Sequence, residues 1–191
     1  GDNKKNNKRV HFETDTGMSP IIQSPEVVEY QYSDNADDNN GLIDEHEWNM
    51  TSGIMFNHES EFRENNYLTS KIINAAFQIY KKKENKLIIG SLDYVRDWSF
   101  AGDIMEAASI LTFNDAKGSY VLGSGVGKSI KDLVQIVFSY FNLDWDKYVV
   151  VDNSLLRSGD PKIKISDPSK IFNEYGWKTK LSFEDLIERC I

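Results

Sequence analysis

The 191-residue sequence has few of the features that mark secreted or membrane proteins. A single cysteine, Cys190, excludes an internal disulfide framework and any cysteine-rich zinc site. No apolar run approaches the roughly 20 residues of a membrane-spanning helix, and the first seven residues are polar, so no signal peptide is predicted. The histidines His11, His46 and His58 have no metal-ligand spacing, and we predict no metal site. We expect a cytoplasmic chain that makes no membrane contact.

Basic residues are absent from Glu26 to Glu47, a stretch that contains eight acidic residues. Residues 1–48 hold 4 Lys and Arg against 11 Asp and Glu, whereas residues 49–191 hold 18 against 19. Binding to nucleic acid needs clustered Lys and Arg to neutralise phosphates, so we expect no nucleic-acid partner. Two interpretations of the acidic segment remain open: a solvated loop, or a docking tail for a basic partner.

A glycine-rich dinucleotide loop is also missing, so nothing is predicted to cradle a pyrophosphate at a helix N-terminus after a first strand. The run from Gly123 to Ser129 looks like a phosphate-binding P-loop. That motif requires glycine five residues before Gly127, where this sequence has Leu122. We therefore interpret the run as a connection that ends in a helix cap at Ser129.

The rest of the chain alternates helical and extended patterns, which predicts an α/β fold. Helical spacing of apolar residues is found in Leu68–Glu84, around Ile104–Leu111 and in Ser129–Phe141, where Leu133, Val134, Ile136, Val137 and Tyr140 are expected to face inward. Strands are predicted at 9–12, 50–56, 87–89, 120–122 and 148–151, with 50–56 and 148–151 buried. Ser166 and Ser182 are expected to be the N-caps of two short helices.

Several motifs follow one another in an order that is more specific than any of them alone. They are Ser-Gly-Ile-Met-Phe-Asn-His-Glu-Ser from Ser52, Leu-Thr-Ser-Lys-Ile from Leu68, Leu-Asp-Tyr-Val-Arg-Asp-Trp from Leu92, Asp-Trp from Asp144, Asp-Pro-Ser-Lys from Asp167 and Gly-Trp-Lys from Gly176. The series resembles the GDP-mannose 4,6-dehydratases, extended short-chain dehydrogenase/reductases that remove water from a GDP-sugar. The resemblance covers about residues 49–191.

The resemblance implies a truncated Rossmann-type sheet remnant followed by the α/β substrate-binding domain of an extended short-chain dehydrogenase/reductase. Residues 1–48 would be a degenerate, acidic and partly loop-like remnant of the Rossmann half. Residues 49–191 would form the nucleotide-sugar domain. The truncated sheet is then expected to be covered by self-association or by a partner chain.

Residues 8–48 echo the end of the family's Rossmann half, and there the catalytic positions are changed. The family's tyrosine takes a proton from the sugar hydroxyl while hydride passes to NADP, and a lysine lowers the pKa of that tyrosine. Here Glu26 and Tyr30 would stand in their places, and Asp15 and Gly17 would replace a threonine and a glutamate. We predict no catalytic residue and no NADP bound by this chain alone.

The family's binding positions are better matched. They imply substrate-binding roles for Asn57, Leu68, Lys71, Gly90, Arg96, Arg157 and Asp160, and cofactor contacts for His58 and Arg63. Lys71, Arg96 and Arg157 would supply positive charge for the diphosphate. Leu68 and Gly90 would line the guanosine pocket, and Asp160 replaces a glutamate that contacts ribose.

Each of these roles has a plainer alternative. Asn57 and Lys71 could be ordinary polar residues of the surface. Arg96-Asp97-Trp98 could be a local salt bridge beside a packed indole. Phe62-Arg63-Glu64 departs from the family's Arg-Arg-Gly, which puts cofactor contact by Arg63 in question.

Three functions therefore remain open at this point. The first is a catalytically inactive relative that binds a GDP-sugar. The second is a subunit of a working GDP-mannose 4,6-dehydratase that another chain completes. The third is a structural or assembly protein that reuses the fold.

Overall fold

A computed structural model describes residues 9–14, 21–22, 28–29, 50–156 and 158–191. For residues before Thr51 it describes the backbone of the strands and not their side chains. The expectations for Asp15, Gly17, Glu26 and Tyr30, and for nearly all of the acidic segment, lie outside the described residues.

Strands and helices alternate along the described chain, which confirms the α/β class. The strands are β1 Arg9–Thr14, β2 Ile21–Ile22, β3 Val28–Glu29, β4 Met50–Met55, β5 Asn57–Glu59, β6 Leu87–Ile89, β7 Val95–Phe100, β8 Gly118–Leu122, β9 Gly127–Ser129, β10 Val149–Val151 and β11 Ile163–Lys164. The α-helices are α1 Leu68–Tyr80, α2 Ala101–Phe113, α3 Ile130–Tyr140, α4 Ser169–Tyr175 and α5 Phe183–Cys190, and two 3₁₀ turns cover Trp145–Lys147 and Asn153–Leu155. None of the described helices is long and apolar enough to cross a membrane.

One parallel sheet has the order β1-β4-β8. Its central strand is buried where Ile54 and Met55 pack, and α2 and α4 cover it through Ile104, Leu111 and Ile171. The sheet joins β1 to strands from beyond residue 49, and the domain boundary at 48 stays a prediction.

The remaining described strands form three sheets. β7 is central in a four-stranded sheet, with β5 and β11 parallel to it and β9 antiparallel. The other two are the parallel pair β6 and β10 and the antiparallel pair β2 and β3. Helices α1, α3 and α5 pack here around a core that includes Ile72, Trp98, Leu133, Phe138 and Ile187.

The predicted cap of α3 is confirmed. The Ser129 hydroxyl accepts a hydrogen bond from the Asp132 amide at 3.0 Å, and the Ser129 amide donates to the Asp132 carboxylate at 2.8 Å. This reciprocal pair satisfies amides that the first helical turn leaves free. The hydrogen bond from Ser129 also lowers the pKa of Asp132.

Four sequence-based predictions of local structure are wrong. Tyr140 is 57% exposed. It is the last residue of α3, and the buried face of that helix ends at Phe138. Val150 and Val151 are 47% and 45% exposed, in a strand that pairs only with β6 among the described strands. Helix α1 ends at Tyr80 instead of Glu84, where Lys82 has a left-handed φ of 56°.

The fourth concerns Ser166. Helix α4 begins after Pro168, which makes no side-chain cap, and the Ser166 side chain binds elsewhere in the fold. Ser182, in contrast, does cap its helix by accepting from the Asp185 amide at 3.1 Å.

Candidate functional site

Arg96 lies near the start of β7 and is held on three sides. Its Nη2 donates to Oδ2 of Asp160 at 2.8 Å, and its Nη1 donates to the carbonyls of Val95 at 2.8 Å and Lys162 at 3.3 Å. The ring of Tyr94 lies 5.2 Å below the guanidinium carbon. The side chain of Arg96 is 11% exposed, whereas that of Asp160 is 36% exposed. Arg96 is therefore a fixed cation whose carboxylate partner faces solvent.

Asp97, the next residue, points to the opposite face of β7 because side chains alternate along a strand. Its carboxylate accepts from the amides of Ser124, Gly125 and Ser166 at 2.9–3.1 Å, and from the hydroxyls of Ser124 and Ser166. We call these four residues the Asp97 junction. The junction shows that Asp97 is not the ion-pair partner of Arg96. It also uses the amides that a P-loop would turn towards phosphate.

Leu68 and Lys71 occupy the first turn of α1, beside the end of β6. Lys71 is exposed, and its Nζ donates to the carbonyl of Ile88 at 3.1 Å. Gly90 follows β6 directly, and a Cβ placed on it would lie 3.2 Å from Cδ2 of Leu156. The exposed ammonium of Lys71 and the contact between Gly90 and Leu156 thus lie at the same end of β6.

A single connection, residues 152–162, joins these two groups of residues. The Asp152 amide donates to the Ile89 carbonyl at 2.8 Å, Leu156 approaches Gly90, and Asp160 pairs with Arg96. We call Leu68, Lys71, Gly90, Arg96 and Asp160, which the sequence analysis predicted as separate contacts, the candidate site. Arg157 lies outside the described residues, and its role stays a prediction.

Asn57 belongs to the neighbouring strand β5. It pairs with Trp98 on β7, and Trp98 lies on the same face as Arg96. The indole is buried and stacks on Phe183 with ring centroids 5.4 Å apart. Asn57 is half-buried next to this packed indole, which places its amide on the Arg96 side of the sheet.

The two predicted cofactor contacts, His58 and Arg63, lie around the end of β5. Nδ1 of His58 donates to the Phe56 carbonyl at 2.9 Å, which leaves Nε2 for another partner. Nε of Arg63 lies 3.2 Å from Oε2 of Glu59, without hydrogen-bond alignment, and its guanidinium stacks 3.7 Å from the centroid of Tyr67.

The Arg63 charge is thus already engaged within the chain. Burial raises the pKa of Glu59, although the Arg63 charge and the Thr69 hydroxyl oppose that rise. That this chain alone binds no NADP stays a prediction, as do the cofactor contacts of His58 and Arg63. The described residues contain no loop that cradles a pyrophosphate. They also contain no cluster of three His, Cys, Asp or Glu that could hold a metal ion.

Comparison with known proteins shows the family of the chain. Residues 42–190 match the family model described as GDP-mannose 4,6 dehydratase. The chain belongs to this family. It is 34% identical over 140 residues to GDP-mannose 4,6 dehydratase 2 of Arabidopsis thaliana, which covers 73% of this chain and 38% of that relative. The chain thus spans well under half the length of that curated relative.

Solved structures extend the likeness to the fold. The structure of RMD from Pseudomonas aeruginosa, complexed with NADPH, has a TM-score of 0.78 at 13% identity, covering 97% of this chain and 64% of that one. The dTDP-glucose 4,6-dehydratase of Bacillus anthracis, in complex with NAD, has a TM-score of 0.74 at 14% identity, covering 95% and 59%. This likeness confirms the fold expected of an extended short-chain dehydrogenase/reductase.

The sequence did not reveal the binding partners of Arg96 and Asp97, the two adjacent charged residues on β7. Asp97 binds residues 27 to 69 positions away, and Arg96 binds an acid 64 positions away. The only local signal was small hydrogen-bonding residues that follow strands, at Ser124 and at Ser166. Neither position was interpreted as a partner of an aspartate.

Proposed function

We propose that this member of the GDP-mannose 4,6-dehydratase family binds a GDP-sugar at the candidate site. The observation that carries the proposal is the geometry of Arg96, a guanidinium fixed by two backbone carbonyls and reachable from solvent beside Asp160. Lys71 adds an exposed ammonium at the end of β6. Two or three charge-assisted contacts to a diphosphate, each worth about 1.5–3 kcal/mol, support affinity of about micromolar.

The role of each residue follows from its chemistry. Arg96 can donate from Nη2 to a phosphate oxygen, while Lys71 acts as a point charge. The absence of a side chain at Gly90 makes room for Leu156, and we propose Leu68 and Leu156 as apolar walls for a planar base. Such a pocket favours purine over pyrimidine nucleotides. Arg157 is proposed as a third cation.

We further propose that the chain alone does not catalyse dehydration. Proton removal from the sugar hydroxyl needs a tyrosine with a lowered pKa, and hydride transfer needs a bound dinucleotide. Glu26 and Tyr30 at the family's tyrosine and lysine positions cannot supply the first requirement. The engagement of Arg63 by Glu59 argues against tight binding of NADP by this chain.

A second candidate, a subunit of a working dehydratase, is favoured by the sheet that contains β1. Among the described strands, β1 pairs with β4 and with no other. A parallel sheet is normally covered on its faces and paired along its edges, so strands from another chain or a second copy could continue it. We propose self-association or a partner chain at this edge. Analytical ultracentrifugation that finds only monomer at high concentration would contradict it.

Calorimetric titration of the purified chain with GDP-mannose, GDP and UDP tests the binding function. We expect saturable binding of both guanine ligands and at least about tenfold weaker binding of UDP, a difference of about 1.4 kcal/mol. Absence of binding at millimolar GDP-mannose would overturn the proposal. A parallel assay with GDP-mannose and NADP should show no 4-keto-6-deoxy sugar, and turnover would contradict inactivity.

A further inference from the structure

We propose that Asp160 is an internal competitor for Arg96 that weakens binding of the free nucleoside diphosphate more than binding of a nucleotide-sugar. This inference rests on the proposed function, since it concerns how the same site selects among anions. The family resemblance implied a ribose contact for Asp160, which stays a prediction. In the structure the Asp160 carboxylate accepts from the guanidinium of Arg96.

The geometry makes the competition one-sided. The Nη1 bonds to Val95 and Lys162 hold the guanidinium on the protein side, so only its Nη2 edge can exchange one acceptor for another. At 11% exposure the Arg96 side chain has little room to turn away. Asp160 is 36% exposed and can leave towards water. An incoming phosphate oxygen therefore takes the place of the Asp160 carboxylate on a guanidinium that stays where it is.

The backbone keeps Asp160 close even after such a displacement. The Val95 amide donates to the Lys162 carbonyl at 2.8 Å, and Ser166 is fixed by the Asp97 junction. The segment that carries Asp160 is thus bound to β7 on its C-terminal side. A displaced Asp160 carboxylate remains near the bound ligand and repels its negative charge.

This repulsion discriminates between ligands by their charge. The terminal phosphate of a free nucleoside diphosphate loses a second proton with a pKa near ~6, whereas a phosphate esterified to a sugar cannot. At pH 7.5 the free diphosphate therefore carries about one more negative charge than the nucleotide-sugar. Asp160 penalises both ligands, and the free diphosphate more.

Calorimetry of Asp160→Asn with GDP and with GDP-mannose tests the inference. Asparagine keeps an oxygen for Arg96 and removes the charge, and Asp160→Ser serves as a second neutral variant. We expect both variants to bind GDP about fivefold more tightly than the wild type and GDP-mannose about twofold more tightly. Glu106→Gln is the matched control. Glu106 lies on α2 and forms an exposed ion pair with Lys180, so the substitution removes one acidic charge outside the candidate site. It should leave both affinities within about 1.5-fold.

The outcomes separate this inference from the function on which it rests. If the wild type binds and neither neutral variant tightens GDP, Asp160 is not a competitor, and the proposed function stands. If Glu106→Gln tightens GDP binding as much as the Asp160 variants do, the effect comes from the net charge of the protein, and the inference is overturned. If neither ligand binds to the wild type or to Asp160→Asn, the proposed function fails, and this inference fails with it.

Discussion

The two faces of β7 use adjacent charged residues in opposite ways. Asp97 is 1% exposed and is surrounded by donors that belong to two other segments of the chain. Arg96 meets one carboxylate, which is exposed, and two backbone carbonyls. The first arrangement closes a carboxylate inside the fold, and the second holds a largely buried cation beside one exposed and exchangeable partner.

This difference teaches that a charged motif can combine a structural residue with a binding residue. A buried carboxylate is stable only when its hydrogen-bonding capacity is filled, as in the Asp97 junction. A ligand-binding cation must instead be fixed without being saturated. We therefore propose that Asp97 positions the Ser166 segment and that Arg96 contacts the ligand.

The largest effect is expected for Asp97→Ala. Removal of the carboxylate leaves the amides and hydroxyls of the Asp97 junction without their acceptor, which should lower the free energy of unfolding by about 3–5 kcal/mol. Urea unfolding at pH 7 measures it. A loss below about 1 kcal/mol would break the comparison, because a surface charge costs that little.

A smaller effect is expected for Gly123→Ala. Its Cβ would lie 2.3 Å from Oγ of Ser166 and 3.1 Å from Oδ2 of Asp97, so the Asp97 junction must shift, at about 1–3 kcal/mol of stability. Gly90→Ala is the matched change at the candidate site. There the nearest atom is the flexible end of Leu156, and we expect weaker GDP binding with little loss of stability. Equal destabilisation by the two substitutions, in thermal unfolding, would contradict the division.

The smallest effect is expected for Glu184→Gln, which removes an ion pair on the Arg96 face. Glu184 accepts from Nζ of Lys128 at 2.9 Å. Lys128 lies opposite Arg96 in the register of β9 with β7. The exposed pair of Glu184 and Lys128 should contribute about 0.2–1 kcal/mol.

The pH dependence of this contribution has a definite sign. The hydrogen bond from Lys128 lowers the pKa of Glu184 in the fold. The contribution is therefore fully present above the ordinary value of 4.5 and is lost as pH falls through the lower folded value. Unfolding of wild type and variant across that range should converge in acid, and GDP affinity at pH 7.5 should not change. A tenfold gain in affinity would add Lys128 to the site.

The sequence predicted what depends on neighbouring positions. Helix α3 and its cap at Ser129 follow from spacing and from a short hydrogen-bonding pattern, and both are confirmed. The exposure of Val150 could not be predicted, because it depends on what packs against the face of β10 to which its side chain points. The role of Ser166 was predicted wrongly, since a cap and a partner of a distant aspartate have the same local sequence.

The candidate site shows the same limit. The family motifs supplied the residues, and the structure supplied the connection of residues 152–162 that links Gly90 with Arg96. The pairing of Arg96 with Asp160 depends on the register of β11 with β7, which no local pattern encodes.

Titration of GDP-mannose into wild type and Arg96→Ala by calorimetry tests the central claim most directly. Arg189→Ala is the control, since Arg189 also pairs with an exposed acid, Glu61, and stacks on Phe100. We predict that Arg96→Ala loses at least about tenfold in affinity, the value of one charge-assisted contact, while Arg189→Ala stays within about twofold. A measurable wild-type affinity that Arg96→Ala leaves unchanged would contradict the account.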